Sequence, residues 1–438
     1  MGNSRKFVVR LLTKLDENSS YSNIALDEAL KRSDLSPQDK KFASALFYGT
    51  LERRLTLDEI IRELSSDPRN KLNHTLRNIL RTGLYQLKYM DSVPDNAAVD
   101  EAVKLAKKLR NPLSPGFVNG LLREFIRRDK KLPEKDTETG NISVEYSCPE
   151  WLVEKWVREL GKQKCKDMLL YTFGRPPETV KLNYLKGDAA NIKDKLLENG
   201  VTFERAGVYE DALNIAFSGA IESTGCFRDG LFHVQDLSSQ ICCHVLDPQK
   251  GETVLDLCSA PGGKAFTIAE LMGNEGKVIA ADLHENRVRL IRSGAERLGL
   301  SCIEAIANDA KVFNESLPAA DRVLCDVPCS GLGVIRRKPE IKYKDPADFD
   351  RLPDIQYKIL DTSSGYVKPG GVLVYSTCTV SEQENGEVVE KFLSAHLEFE
   401  PSDISAYLKL EKPAYKYTIL PDRFGSDGFF IARLVRRR

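Results

Sequence analysis

The sequence lacks the patterns that place a protein in the membrane-spanning or disordered classes. No hydrophobic run reaches the roughly 18 uncharged residues that a membrane-spanning helix needs. Lysine plus arginine and aspartate plus glutamate both number 64, so net charge gives no evidence for a polyanionic partner. The 42% hydrophobic and 29% charged residues are typical of a globular chain. At roughly 150 residues per domain, the 438 residues predict about three domains.

Metal-binding and secretory patterns are also missing. The ten cysteines form no CxxC pair and no regular spacing, and the five histidines are scattered. These facts argue against zinc-ligand motifs and against a disulfide framework. The first twenty residues alternate charged and apolar positions, without the continuous apolar core of a signal peptide. We therefore expect a cytoplasmic monomer that binds no metal and no membrane.

Charge and periodicity separate an N-terminal segment from the rest of the chain. Residues 1–130 carry 24 basic and 17 acidic residues, and their apolar positions recur at helical spacing. Ser36 followed by Pro37 predicts the start of one of these helices. We expect an all-α domain whose positive excess favours nucleic acid; ordinary solvated helix faces are the alternative. Residues 131–147 are polar and aperiodic, which indicates a linker.

Two further segments follow the predicted linker. Residues 148–234 begin with an amphipathic helix after Pro149 and contain short strand patterns at 179–184 and 213–217, so we expect a small α+β domain. In residues 235–438, apolar β-rich runs alternate with helical patterns. Such runs are typical of strands buried on both faces, and they predict a Rossmann-like, doubly wound α/β domain with a parallel sheet.

Glycines and acids follow the strands of this last segment. The first strand leads into the turn CysSerAlaProGlyGlyLys at 258–264, where a ligand can approach the backbone and the next helix N-terminus. The second strand ends at Asp282, which suits the two ribose hydroxyls of a nucleoside, and Asp309 after the third suits a position near adenine. This combination favours S-adenosylmethionine, although a single acid at a strand end is more often a helix N-cap. The residues predicted to bind it are Cys258, Ser259, Ala260, Pro261, Gly262, Gly263, Lys264, Asp282, Arg287, Asp309 and Asp326.

Two thiols follow the fourth and fifth strands. Cys329 lies in AspValProCysSerGly at 326–331, and Cys378 lies in TyrSerThrCysThr at 375–379. Neighbouring strands would bring both thiols beside the methyl donor, which suggests pyrimidine methylation. C5 of a pyrimidine becomes nucleophilic only after a thiolate adds to C6, and Asp326 is placed to stabilise charge near N3. The residues alone do not decide which thiol attacks.

Four segments together resemble the signatures of the NOL1/NOP2/Sun family of RNA cytosine-C5 methyltransferases. They are 258–264, 326–331, 375–379 and AspGlyPhePheIleAla at 427–432. The resemblance implies that Cys378 is the nucleophile and that Cys329 assists product release. DNA cytosine-C5 methyltransferases use a ProCys thiol as nucleophile, which would give that role to Cys329.

The upstream sequence resembles the bacterial Sun/Fmu type of this family. The resemblance lies in PheValAsnGlyLeuLeuArg at 117–123 and ArgProProGluThrValLysLeuAsn at 175–183, where LysLeuAsn replaces the commoner ArgValAsn. It implies an N-terminal domain similar to the RNA-binding antitermination factor NusB. It also implies that the substrate is 16S rRNA, either free or within an assembling small subunit, and that DNA is not a partner. The modified nucleotide implied by the resemblance is the cytosine at position 967 in standard 16S numbering.

Two other interpretations stay open from the sequence. One is a non-catalytic rRNA-binding or assembly protein with a vestigial methyltransferase domain, and the other is C5 methylation of a different RNA. The presence of Cys329, Cys378, Asp326 and the glycine-rich turn argues against the vestigial domain, because a binding scaffold needs no thiol pair.

Overall fold

A computed structural model describes residues 2–18, 22–65, 72–109, 112–217 and 219–438. Residues 1, 19–21, 66–71 and 110–111 of the predicted helical domain, and residue 218 of the predicted α+β domain, lie outside the described residues. The chain divides into two compact units. One comprises Met1–Gly174 with Ile335–Lys344, and the other Arg175–Val334 with Asp345–Arg438. Within the described ranges, no helix combines the length and hydropathy needed to cross a membrane.

The first unit is built from helices, as its periodicity predicts. They are α1 (Gly2–Asn18), α2 (Ser22–Lys31), α3 (Pro37–Glu52), α4 (Arg54–Leu64), α5 (His74–Tyr89), α6 (Asp95–Ala106), α7 (Ser114–Arg127), α8 (Glu138–Tyr146), α9 (Glu150–Leu160) and α10 (Lys162–Leu170). The start predicted at Ser36 is confirmed, because its hydroxyl accepts a hydrogen bond from Asp39 N at 3.1 Å. The cap satisfies one of the free amides of the first helical turn.

Helix α5 contributes both apolar and ionic contacts to this unit. Ile79, Leu80 and Leu84 of α5 are buried in the core. On another face, Arg81 is buried and lies 2.6 Å from Asp58 and 3.0 Å from Asp16. Part of the charge counted in residues 1–130 is therefore paired inside the unit and is not available to a partner.

The segment predicted as a linker differs from that expectation. Within 131–147, Thr137 caps α8, and Ile142 and Val144 are buried. A helix of nine residues is too short to show a clear helical periodicity of apolar residues. Its two apolar residues are surrounded by polar ones, so the sequence does not predict the helix. The helix packs against α4 and α9, and the local sequence does not indicate these partners.

The second unit begins with a small sheet and its helices, at 175–234. Its elements are β1 (Glu178–Leu182), α11 (Ala189–Glu198), β2 (Thr202–Arg205), β3 (Ala212–Ala216), α12 (Gly225–Arg228) and β4 (Phe232–Val234). The strands form an antiparallel sheet in the order β2-β3-β1-β4. The strands predicted near 179 and 213 are confirmed as β1 and β3.

A larger α/β domain completes the second unit. Its elements are α13 (Leu237–Leu246), β5 (Thr253–Asp256), α14 (Gly263–Leu271), β6 (Lys277–Asp282), α15 (Glu285–Leu298), β7 (Ile303–Ala307), β8 (Ala320–Asp326), α16 (Leu352–Ser364), β9 (Val367–Thr377), α17 (Gly386–Ala395), β10 (Phe399–Pro401), α18 (Ser405–Leu408), β11 (Lys416–Ile419), α19 (Pro421–Phe424) and β12 (Phe429–Arg436). The strand order is β10-β12-β9-β8-β5-β6-β7, and β11 pairs with β12. Apolar residues of these strands fill a core on each side of the sheet.

The expectation of a parallel sheet holds for only part of this domain. Strands β5 to β9 are parallel, whereas β12 runs antiparallel to β9, β10 and β11. The sheet is therefore mixed. Residues 429–432 are buried as fully as the parallel strands, so burial and β-propensity in the sequence do not reveal the direction of β12.

A buried ionic cluster joins the small sheet to α14. Lys181 of β1 lies 2.6 Å from Asp211 and 3.3 Å from Glu270 of α14. His233 of β4 lies 3.2 Å from Thr267, also on α14. Burial by itself lowers the pKa of Lys181, but the charges of Glu270 and Asp211 raise it above its ordinary value. The lysine therefore stays charged and fixes the helix that follows the glycine-rich turn.

Candidate active site

The turn at 258–264 connects β5 to α14 at the carboxyl edge of the parallel strands. Ser259 N donates to Ala281 O at 2.8 Å, which ties the turn to β6, and Gly262 N donates to Ser259 O at 2.8 Å. Gly262 has a φ of +112°, and a Cβ there would lie 2.4 Å from the ring of Phe266. Glycine is required at this position for both conformation and space. The free amides of the first turn of α14 follow directly.

Lys264 and Asp326 connect the turn to the end of β8. Lys264 Nζ lies 2.7 Å from Asp326 Oδ2, and Ser376 Oγ of β9 donates to Asp326 Oδ1 at 2.8 Å. Burial by itself lowers the pKa of Lys264, but the charge of Asp326 raises it above its ordinary range. Asp256 at the end of β5 is fully buried, and burial together with the charge of Asp326 raises its pKa to about 7. Asp326 is therefore paired with Lys264, whereas Asp256 is a buried carboxyl group close to the charge of Asp326.

Asp282 and Arg287 form a second link to the turn. The side chain of Asp282 is only 4% exposed, and Arg287 Nη1 lies 3.2 Å from Asp282 Oδ2. Arg287 Nη2 donates to Ala260 O at 2.8 Å. The structure therefore brings Asp282, Arg287 and the turn together.

Asp309 stands apart from this group. Its carboxylate accepts a hydrogen bond from Lys311 N at 3.0 Å and lies 3.7 Å from Lys311 Nζ. These are local turn contacts of the kind that an acid after a strand commonly makes. The end of β7 is held near β6 by a different contact, in which Asn308 N donates to Asp282 O at 3.0 Å.

The two predicted thiols meet at the ends of β8 and β9. Cys329 Sγ and Cys378 Sγ are 3.2 Å apart. The strands are paired in the register Asp326 to Ser376. Cys378 directly follows the end of β9, and Cys329 comes three residues after the end of β8. The hydrogen bond with Cys378, burial, and the charges of Cys378 and Glu384 together raise the pKa of Cys329 well above its ordinary value. Cys329 therefore holds its proton more tightly than an exposed thiol.

A buried polar network surrounds the thiols, and the sequence does not predict it. Its members come from three separate segments and are hydrogen-bonded to one another: Ser330, Gln356, Thr377, Thr379, Glu384 and Asn385. Residues 381–387 contain serine, glutamate, glutamine, asparagine and glycine, which is a composition typical of an exposed turn. The nearness of 384 to the Cys378 motif is the one available signal, and it does not predict burial.

Comparisons with known proteins match three segments of the chain to family models. Residues 243–435 match the family described as 16S rRNA methyltransferase RsmB/F, residues 2–127 match the NusB family, and residues 148–222 match the ferredoxin-like domain of RsmF/B-like methyltransferases. The predicted NusB-like and Rossmann-like methyltransferase folds are thus confirmed.

Relatives align along nearly the whole length of the chain. The probable ribosomal RNA small subunit methyltransferase B of Bacillus subtilis (strain 168) is 39% identical over 99% of this chain and 98% of its own. The ribosomal RNA small subunit methyltransferase B of Pectobacterium atrosepticum is 32% identical over 96% of both chains.

Solved structures share the fold. The crystal structure of PH0851 has a TM-score of 0.82 at 26% identity, over 99% of this chain and 98% of that chain. A methyltransferase homolog protein from Pyrococcus horikoshii has a TM-score of 0.59 at 25% identity, over 69% of this chain and 100% of that chain. Together with the full-length relatives, these matches show that the chain belongs to the ribosomal RNA small subunit methyltransferase B family, the Sun/Fmu type of the NOL1/NOP2/Sun methyltransferases.

Proposed function

We propose that the protein transfers the methyl group of S-adenosylmethionine to C5 of a cytosine in 16S rRNA. The observation that carries this proposal is the thiol pair, with Cys329 Sγ and Cys378 Sγ 3.2 Å apart. Cys329 follows β8, whose last residue, Asp326, contacts Lys264 of the glycine-rich turn. A thiol pair beside a candidate cofactor turn suits addition at C6 of a pyrimidine and later elimination.

The chemistry of the turn fits S-adenosylmethionine. Lys264 pairs with Asp326, and the pKa of the nearby Asp256 is raised to about 7 by burial and by the charge of Asp326, so added positive charge is favourable here. S-adenosylmethionine carries a positive sulfonium and supplies an electrophilic methyl group. We propose that residues 258–264 hold its methionine portion and that Asp282 accepts hydrogen bonds from the ribose hydroxyls, with Arg287 fixing the carboxylate. Asp309, which lies after β7, is assigned to the adenine end.

In the proposed reaction, Cys378 attacks and Cys329 helps release the product. The Cys378 thiolate forms a bond to cytosine C6, and the electron pair of the C5–C6 double bond makes C5 nucleophilic. After methylation, a base removes the C5 proton, the C5–C6 double bond re-forms, and the bond between Cys378 and C6 breaks to return the Cys378 thiolate, with Cys329 assisting this release. Asp326 holds the N3 edge of the base, and Lys264 supplies positive charge beside it. The ThrCys segment at 375–379, which resembles the family signature, supports this division of roles.

Base-resolved methylation assays test this function. We expect incubation of 16S rRNA with the protein and S-adenosylmethionine to protect one cytosine from bisulfite conversion, and omission of the cofactor to leave it unprotected. Free 16S rRNA and small subunits at different assembly stages are compared as substrates. Protection only in another RNA contradicts the 16S assignment, and RNA binding without methyl transfer to any RNA supports the vestigial-domain interpretation.

The helical unit supplies a candidate surface for the RNA. Lys6, Arg10 and Lys14 are exposed, whereas Val8 and Leu12 of the same helix are buried. Residues four apart lie on one face of a helix, so the three cations form a ridge along α1. We propose that this ridge contacts the phosphate backbone of the rRNA.

Neutralising the ridge tests the proposed RNA surface. We expect the triple change Lys6→Gln, Arg10→Gln and Lys14→Gln to weaken rRNA binding and to reduce the slope of log affinity against log salt by about 2, since each phosphate that is no longer neutralised reduces it by about 0.7. The measurement is filter binding over a salt series. A matched triple change, at Lys250, Lys277 and Lys391, removes three exposed lysines of the methyltransferase domain. Equal reductions in the two triple variants contradict the assignment to α1.

A further inference from the structure

Glu384 holds both peptide neighbours of Cys329. Its Oε2 accepts a hydrogen bond from Ser330 N at 2.8 Å, and its Oε1 accepts one from Ser330 Oγ at 2.6 Å. Gln356 Nε2 donates to Glu384 Oε2 at 2.9 Å and to Pro328 O at 3.0 Å. The carboxylate thus fixes the residue after Cys329 directly and the residue before it through Gln356.

The adjacent residue, Asn385, holds the neighbours of Cys378 in the same way. Thr377 Oγ1 donates to Asn385 Oδ1 at 2.6 Å, and Asn385 Nδ2 donates to Thr379 O at 3.1 Å. A direct contact of 2.8 Å between the hydroxyls of Ser330 and Thr379 joins the two loops. The dipeptide of Glu384 and Asn385 is therefore connected by hydrogen bonds, directly or through Gln356, to the residues on both sides of both thiols.

The burial of Glu384 argues that it acts through these loops. Glu384 is only 3% exposed, and burying a carboxylate is costly unless hydrogen bonds satisfy it. Three donors do so here, and Tyr375 OH additionally donates to the Glu384 carbonyl at 2.6 Å. All three donors belong to residues that frame the Cys329 loop.

We propose that Glu384 is a positioning residue of the two-thiol site, whose carboxylate keeps the Cys329 loop in place so that the Cys329 thiol stays within reach of Cys378. This inference rests on the proposed function of the two thiols. The carboxylate also has an electrostatic effect, because its charge is one of the causes that raise the pKa of Cys329. Glu384 thus contributes both to where Cys329 lies and to how firmly it keeps its proton.

Two substitutions separate these contributions. In Glu384→Gln, the amide oxygen can accept from Ser330 N and Gln356, and the amide nitrogen can donate to the Ser330 hydroxyl, so the geometry is kept and the charge is removed. Glu384→Ala removes both. The control, Glu387→Gln, removes an exposed charge near the start of α17.

The first measurement is the rate of iodoacetamide alkylation of Cys329 against pH, with mass spectrometry of the Cys329 peptide, in the full-length protein without RNA. We expect Glu384→Gln to lower the midpoint of the Cys329 alkylation profile by at least about half a pH unit, because a negative charge next to the thiol is removed. Glu387→Gln keeps the wild-type profile. A Glu384→Gln profile equal to wild type overturns the electrostatic contribution.

The second measurement is methyl-transfer kinetics. We expect Glu384→Ala to lower kcat about ten- to hundredfold through misplacement of the thiol, with KM for rRNA and S-adenosylmethionine affinity unchanged, and Glu384→Gln to restore most of kcat. Wild-type kcat in Glu384→Ala overturns the positioning role while leaving the proposed function intact. Absence of methyl transfer in the wild-type protein instead contradicts the proposed function, and the alkylation profiles still report on Glu384.

Discussion

We expect Cys329→Ala to trap a covalent complex with rRNA and Cys378→Ala to form none. Both variants lose methyl transfer to background, so activity alone does not separate their roles. On a denaturing gel with 16S rRNA and S-adenosylmethionine, a shifted band appears for Cys329→Ala and is missing for Cys378→Ala. The reason is that Cys378 forms the bond to C6, whereas Cys329 assists the elimination that breaks it.

The structure makes this experiment decisive because both thiols are near enough to exchange roles. They lie 3.2 Å apart, so distance alone permits either to reach the base. A shifted band for Cys378→Ala instead of Cys329→Ala would reverse the assignment and give Cys329 the role it has in the DNA-type mechanism. Cys302→Ala is the control, because this half-buried thiol lies at the start of β7, away from the pair.

The sequence located the candidate site because of a property of parallel sheets. Strands that run in one direction present all their carboxyl ends at one edge, so residues that directly follow apolar runs meet there. This geometry is sufficient to bring the glycine-rich turn, Asp326 and the two thiols together without knowledge of side-chain contacts. The contact of Lys264 with Asp326 spans 62 positions and agrees with that expectation.

The contacts that sequence reasoning missed depend on packing between distant segments. Glu384 is buried because Ser330 and Gln356 reach it from other elements, and nothing in residues 381–387 encodes those partners. Helix α8 forms in a segment of linker-like composition and packs against helices that its local sequence does not indicate. The direction of β12 is set by the path of the chain, since its apolar run reads like that of a parallel strand. Local patterns therefore predicted strand ends well and predicted supporting contacts poorly.

We expect Asp282→Ala to weaken S-adenosylmethionine binding about hundredfold, or about 3 kcal/mol, measured by calorimetry. The size of this effect follows from the removal of two hydrogen bonds between a buried carboxylate and the ribose hydroxyls. The effect on folding should be smaller, because the Arg287 side chain is 48% exposed, so water can solvate its guanidinium in place of the carboxylate, and the contact from His284 N to Asp282 Oδ1 is long, at 3.3 Å. Glu285→Gln is the matched control, since Glu285 begins α15 three residues later and pairs with Arg292 at the surface. Unchanged affinity in Asp282→Ala would contradict the placement of the ribose at the end of β6, and an equally weakened affinity in Glu285→Gln would attribute the effect to the general charge of this edge.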